Sequence, residues 1–402
     1  MRILIHGGTV FNGLEVVGRS DVVVEDGLIK GVGDVGGQAD VEVDARDMFV
    51  MPGMVDAHFH FGGSKGGDLV RGTLAEDSKV RLLRATTWAS KIVEAGVTTV
   101  RDCGEPNAIP LRQAVNEGWV KGPRIFAAGR PLSQTFGHGE FLHTVPVEWN
   151  EYFGFAEICD GREECVRGAR RVLREGSDFI KIMATGGVLS QRDKPEWPQF
   201  THEEISAIVH EAEKVGTYVA AHAHGDRGAR VAVESGVKSI EHGSLLSEET
   251  LRLMAERGVV LIPTLSIQEL IHKHGKQIGV NDWGLEKIGS VRENIPRVLA
   301  TAKKLGITIL TGTDLGFESG LEIDVGRNFM EPILLVEVGG LTNLEALRAA
   351  TSNIRKLGLN IGLIAQGQPA DIVVIDGDPA TNIRDLAKAK WVIKAGRVVK
   401  GS

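Results

Sequence analysis

His58 and His60 close the stretch MVDAHFH, His222 closes TYVAAH, His242 closes VKSIEH and Asp314 closes ITILTGTD. The last three are rich in Val, Ile and Thr, as a buried strand requires, and MVDAHFH is read as a strand beside them. On a strand, residues two apart project from one face, so His58 and His60 face the same way. Imidazole nitrogens with a carboxylate suit Zn²⁺ or a similar borderline cation. Lys181 lies inside another such stretch, DFIKIMATGG. A lysine there is costly, because its ammonium is stripped of water. It can lose its proton, pair with a carboxylate, or react with CO₂ to give a carbamate whose two oxygens bridge two cations. The carbamate would make the site binuclear.

Ligands as far apart in sequence as His58 and Asp314 meet only if a fold collects the ends of many strands. One unit recurs along the chain: a helix ends at glycine and a strand follows at once. Gly96 leads into VTTVRD, Gly176 into SDFIKI, Gly216 into TYVAAH, Gly236 into VKSIEH, Gly258 into VVLIPT and Gly306 into ITILTGTD. Glycine takes the left-handed conformation that caps a helix. MVDAHFH at 54–60 and RIFAAG at 124–129 add two strands without that glycine. Between strands, Thr201-x-x-Glu204 and Thr342-x-x-Glu345 read as capping boxes that open helices. Strands alternating with helices imply a parallel sheet in an α/β fold. Eight strands favour a closed (β/α)8 TIM-type barrel over an open doubly wound sheet, and strand C-termini then converge on one mouth.

The two ends read differently. Residues 1–52 and 360–402 hold short alternating strands with DG and AG turns. Neither end alone has enough strands to bury a core, so we pair them into one small β-sandwich beside a barrel over 53–359. The glycine-rich stretch 61–80 is expected to be a mobile loop over the site.

Composition narrows the partners. Net charge is −7 with signs interspersed, against a nucleic-acid or anionic-membrane partner. No apolar run approaches the roughly 20 residues that span a bilayer. The opening MRILIHGGTVFNG lacks the unbroken apolar core of a secretory signal. Cys103, Cys159 and Cys165 form neither an even disulfide set nor a CxxC pair, so packing in a reducing cytoplasm is expected.

The set His58-x-His60, Lys181, His222, His242 and Asp314 resembles the binuclear metal-dependent amidohydrolase superfamily. The segments FIKIMATGG, VAAHAHG, SIEHG and TGTD are similar to its prolidase-like and imidazolonepropionase-related branch. The resemblance runs over essentially the whole chain, closing segment GLIAQGQPADIVVIDGDP included. It implies two divalent cations, by ligand type zinc. His58, His60 and Asp314 would hold the more buried one, His222 and His242 the outer one, with carboxylated Lys181 bridging both. It further implies attack by a hydroxide shared between the cations, with Asp314 as general base and then acid toward the leaving amine. His224 could replace His222 as ligand, but the family's spacing to the next histidine favours His222. His224 then stands where relatives often carry a substrate-contacting tyrosine, and His138 in SQTFGHGE would join it as a hydrogen-bond donor to substrate carbonyl or carboxylate. Thr185, Gly186 and Gly187 would let substrate approach the backbone, with Ser190 and Gln191 on the same rim.

The implied reaction is hydrolysis of an amide bond in a dipeptide or N-acyl amino acid by a homo-oligomer. Cyclic-amide hydrolysis of the hydantoinase or dihydroorotase kind, lactone or phosphotriester hydrolysis, and a scaffold without chemistry are the rivals. Lys181 counts against a mononuclear deaminase. His202 and His210 read as solvated helix positions, His272 and His274 as surface or lid, and Arg101 and Asp102 as braces of the barrel mouth.

Overall fold

The computed structural model describes residues 1–62, 65–140 and 143–401. Strands Met54–Phe59, Val97–Asp102 and Arg124–Ala127 form one parallel sheet. A second parallel sheet runs, in order, through Glu157–Ile158, Leu132–Ser133, Ile180–Met183, Val219–Gly225, Ser239–Leu245 and Val260–Ile262. Helices separate most of these strands, so the chain is α/β. All six glycines that precede strands have positive φ, between 65° and 107°. Both capping boxes form, at Thr201 with Glu204 and at Thr342 with Glu345.

The expected eighth strand departs from regular geometry. Within 307–314, only Ile309 makes a bridge, to Leu261. The segment still hydrogen-bonds on both sides: Leu310 N to Leu261 O at 3.0 Å, Ala57 N to Thr311 O at 2.8 Å and Asp314 N to His58 O at 2.6 Å. Its pleat is interrupted because the Thr311 hydroxyl takes the Val55 carbonyl at 2.7 Å and Asp314 turns left-handed, at φ 56°. Between the two sheets on the other side, Asp178 N donates to Ala127 O at 2.8 Å.

The stretch 61–80 is more ordered in its chain path than a loop. Its aspartates start helices: Asp68 accepts from Arg71 N before Leu69–Ala75, and Asp77 accepts from Lys79 N before Ser78–Glu94. Residues 63 and 64 of that expectation lie outside the described ones.

Both termini enter one eight-stranded sheet. Five of its strands lie between Arg2 and Pro52, and Ile372–Ile375, Ala389–Lys394 and Arg397–Lys400 complete it. The seam is antiparallel, with Val374 opposite Val50. Ile3, Ile5, Val24, Val50, Ile372, Val374 and Ile393 bury their side chains together there, each worth about 1.5–3 kcal/mol of transfer from water. Arg124 Nη1 reaches Asp371 at 2.5 Å and Lys394 Nζ reaches the Gly122 carbonyl at 2.8 Å, tying this sheet to the α/β part.

The three cysteines are free and buried, as packing residues. Cys159 and Cys165 nonetheless touch, Sγ to Sγ, at 3.0 Å. Among the described residues no helix is long and apolar enough to cross a membrane.

Candidate metal centre

Strands and the loops that follow them bring the sequence-selected residues to one cavity, lined by His58, His60, His138, Lys181, His222, His224, His242 and Asp314. Asp314 is the hub: its Oδ1 lies 2.9 Å from His60 Nε2 and 3.3 Å from His58 Nε2, and Oδ2 lies 3.9 Å from His242 Nδ1. Lys181 Nζ lies 3.4 Å from His58 Nε2. The rings of His222, His224 and His242 cluster with centroids 4.7–4.9 Å apart. His58, His242 and Asp314 form one group able to hold a cation, and His222, His224 and His242 another. His222 and His224, two apart on one strand, both reach that second group, so the spacing argument alone separates them.

The backbone is strained where the site is built. A regular strand would send Glu241 and His242 to opposite faces. His242 instead adopts φ 71°, so its ring reaches the cavity while Glu241 supports His58 from below. Asp314 at φ 56° and Thr264 at φ 53° are the other left-handed residues here. Such conformations cost of order 1–3 kcal/mol each and gather where function requires them.

For His58, His60 and His222, outer contacts fix which nitrogen is offered. Carboxylate and carbonyl oxygens only accept. His58 therefore donates from Nδ1 to Glu241 Oε2 at 2.8 Å, and His60 from Nδ1 to Gly104 O at 2.9 Å. Both leave Nε2 for the cavity, where it meets Asp314. His222 is reversed: Nε2 donates to Gly186 O at 3.0 Å, leaving Nδ1. Contacts of this kind orient imidazoles as metal ligands.

Electrostatics divides the groups. Burial, reinforced by neighbouring histidines, holds His222 and His242 well below the usual imidazole range. Burial also takes His138 down to about 4 and His224 down to about 3. Asp314 sits well below the usual carboxylate range: burial opposes its charge, but His58 and His60 outweigh that. Burial opposes a proton on His58, but the neighbouring Cys103 and the Asp314 carboxylate outweigh it and move the value up.

The expectations fare differently in detail. Arg101 and Asp102 brace the site, as expected: both are wholly buried, Arg101 binds Glu241, and Asp102 accepts from Phe61 N at 2.7 Å. His202 and His210 are exposed on the helix His202–Lys214. Gly186 and Gly187 do not open the backbone to substrate. A Cβ at Gly186 would stand 2.2 Å from Lys194 O, and one at Gly187 2.2 Å from His138 Cε1, so protein fills both spaces. Gln191 is exposed and outside the cavity lining. Among the buried carboxylates that escaped the sequence reading, two stand at this site. Glu241 holds His58 and Arg101, while Asp56 accepts from Thr313 N at 3.0 Å and Asn328 Nδ2 at 2.6 Å, fixing the turn into Asp314. Both stand inside apolar strands, and the desolvation argument that singled out Lys181 applies to them equally.

The amidohydrolase family pattern matches residues 49–399. Ochratoxinase of Aspergillus niger is 31% identical over 99% of this chain and 86% of its own length. The structure of a prolidase complexed with N-methylphosphonate-L-proline aligns with TM-score 0.90 at 32% identity, both chains covered in full. A Xaa-Pro dipeptidase with bound methionine aligns equally well, with TM-score 0.90, 32% identity and full coverage of both chains. The chain belongs to the amidohydrolase family and is a hydrolase acting on carbon–nitrogen bonds.

Proposed function

We propose that the chain hydrolyses the amide bond of a dipeptide or an N-acyl amino acid with a free carboxylate, at a binuclear metal site. The parallel strands are read as a closed (β/α)8 barrel over 53–359, with the β-sandwich of 1–52 and 360–402 beside it, by likeness to the family's structures. His58, His60 and Asp314 would hold one cation, His222 and His242 the other, and carboxylated Lys181 both. The donor chemistry fits: buried imidazoles, three of them held by a ring nitrogen engaged with a carboxylate or carbonyl oxygen, plus the Asp314 carboxylate, suit zinc. The observation that carries the reading is Lys181. It is 1% exposed among these ligands, and among the described residues no carboxylate lies within 4.0 Å of its amine.

Two bound cations would acidify a shared water and polarise the scissile carbonyl. The chain's own groups do the rest. Asp314, held as a carboxylate, takes the proton of the attacking water and returns it to the leaving amine. His138 and His224 contact the substrate. Met183, Val188, Leu189, Ile267, Ile271 and Phe317 line the same cavity, keep water out and favour an apolar side chain. The ligands of the two relatives, N-methylphosphonate-L-proline and methionine, are built on amino acids with an α-carboxylate, which supports the substrate class. The reading keeps a cytoplasmic homo-oligomer as its setting.

Turnover assays test it. N-acyl amino acids and dipeptides with apolar side chains are expected to be hydrolysed faster than dihydroorotate, hydantoins, lactones or phosphotriesters. Preference for one of those rivals would overturn the substrate class.

A further inference from the structure

The helix Leu265–His274 begins without a cap of its own. Thr264 stands in the capping position, where a residue normally takes an extended backbone and turns its hydroxyl to the first N–H groups of the helix. Thr264 instead has φ 53° and ψ 52°, a left-handed conformation that is costly for a β-branched residue. Its hydroxyl makes no bond to the helix and meets His242 Nδ1 at 2.7 Å.

The open N–H groups are satisfied from outside. Glu331, on the helix Met330–Glu337, accepts from Leu265 N at 2.8 Å through Oε1. Its Oε2 accepts from Ser266 N and from Ser266 Oγ, both at 2.7 Å. Glu331 is wholly buried. The turn is tied to the metal site and to the cavity wall. Ile267 N donates to Thr313 O at 3.2 Å, one residue before Asp314, and Ile267, Gln268 and Ile271 of this helix line the cavity.

Two ways of capping this helix therefore compete, because its buried N–H groups need an acceptor in either case. In one, Thr264 extends, caps its own helix and withdraws its hydroxyl from His242. In the other, Glu331 supplies the acceptors and Thr264 keeps its strained turn, with the hydroxyl on the histidine. We propose that Glu331 is a positioning residue of the metal site: by capping the helix Leu265–His274 from outside, it holds Thr264 left-handed and thereby fixes His242. His242 as a ligand of the outer cation is taken from the reading above, whereas the link from Glu331 to Thr264 stands without it.

Competitive chelator titration of the metal-loaded chain separates the two cations. Thr264→Val removes the hydroxyl and should weaken one cation about 10–100-fold while leaving the other unchanged, as loss of a supporting contact does. Glu331→Gln places an NH₂ where a carboxyl oxygen accepted, and should weaken the same cation. Losses that pass through one hydroxyl do not add, so the double variant should bind no more weakly than Thr264→Val alone. Unchanged affinity in either single variant, equal weakening of both cations, or additive losses in the double variant overturns the proposal. Where Glu331→Gln does not fold, Ser266→Ala replaces it. That variant removes one of the three bonds to Glu331 and should shift the same cation in the same direction, and unchanged affinity there overturns the proposal. If the wild type binds one cation or none, the outer-site reading fails, and a metal-free crystal structure of the Glu331→Gln or Ser266→Ala variant decides the link. Thr264 at negative φ supports it, and a Thr264 still left-handed overturns it.

Discussion

Glu241→Gln is the most informative single substitution, because one carboxylate there supports two buried groups at once. Its Oε2 accepts from His58 Nδ1 at 2.8 Å, while Oε1 accepts from Arg101 Nη2 at 2.5 Å and Ser239 Oγ at 2.6 Å. All of these side chains are wholly buried or within 1% of it. Glutamine keeps the shape and removes the charge, leaving the Arg101 guanidinium without its counter-ion. Breaking a buried pair this way costs about 3–5 kcal/mol. Arg101 keeps its bonds to Ala57 O at 2.6 Å and Ser239 Oγ at 3.2 Å, so the lower end, about 3 kcal/mol, applies. The amide also disturbs the site. With its oxygen toward Arg101, its NH₂ faces His58 Nδ1 and drives the proton to Nε2, the nitrogen needed for a metal. Metal affinity should fall about 10–100-fold. The sign with pH follows from the depressed value of Glu241, where burial opposes the charge but Arg101 and His58 outweigh it. The stabilisation is full above the free glutamate range, about pH 4.3, and is lost as pH falls through the lower folded-state value. Chelator competition and denaturant titration of both proteins across that range measure the two effects. Unchanged metal affinity together with a stability loss under about 1 kcal/mol would refute the reasoning.

Asp314→Asn should keep the fold and lower turnover about 10²–10⁴-fold, read by steady-state assay, since the proton acceptor is gone. Near-normal turnover would remove Asp314 from the mechanism. Lys181→Ala should lose metal and activity, with partial recovery on adding short carboxylic acids, and unchanged metal content there counts against the carbamate. Burial lowers Lys394 to about 8, so this lysine penalises the folded state below that pH and the penalty lifts as pH rises toward 10.5. Lys394→Met should therefore be more stable than wild type at pH 7 and lose that advantage in alkali, by chemical denaturation.

How much of the fold and the site is legible in the sequence depends on the kind of signal. Ligands at strand ends are readable because a carboxylate or imidazole closing an apolar strand is costly to desolvate unless it binds something. Helix stops are readable because glycine, Gly96 or Gly258 for example, adopts the left-handed cap without strain. The irregular path of 307–314 is not, since it depends on the Thr311 hydroxyl finding the Val55 carbonyl across the fold. The helices in 61–80 are obscured by glycine content, although Asp68 and Asp77 stand in the right places to cap them. Glu241 and Asp56 escape for a simpler reason: the ligand pattern selects groups that face the cavity, and these two sit behind them. The role of Gly187 is misread because sequence shows that a close approach occurs without showing what approaches. Here it is His138.

The central claim is that six side chains gather two cations with a modified Lys181 between them. Elemental analysis of the chain purified without chelator addresses it most directly. The account predicts two equivalents of divalent metal per chain. One equivalent, or none, would contradict it.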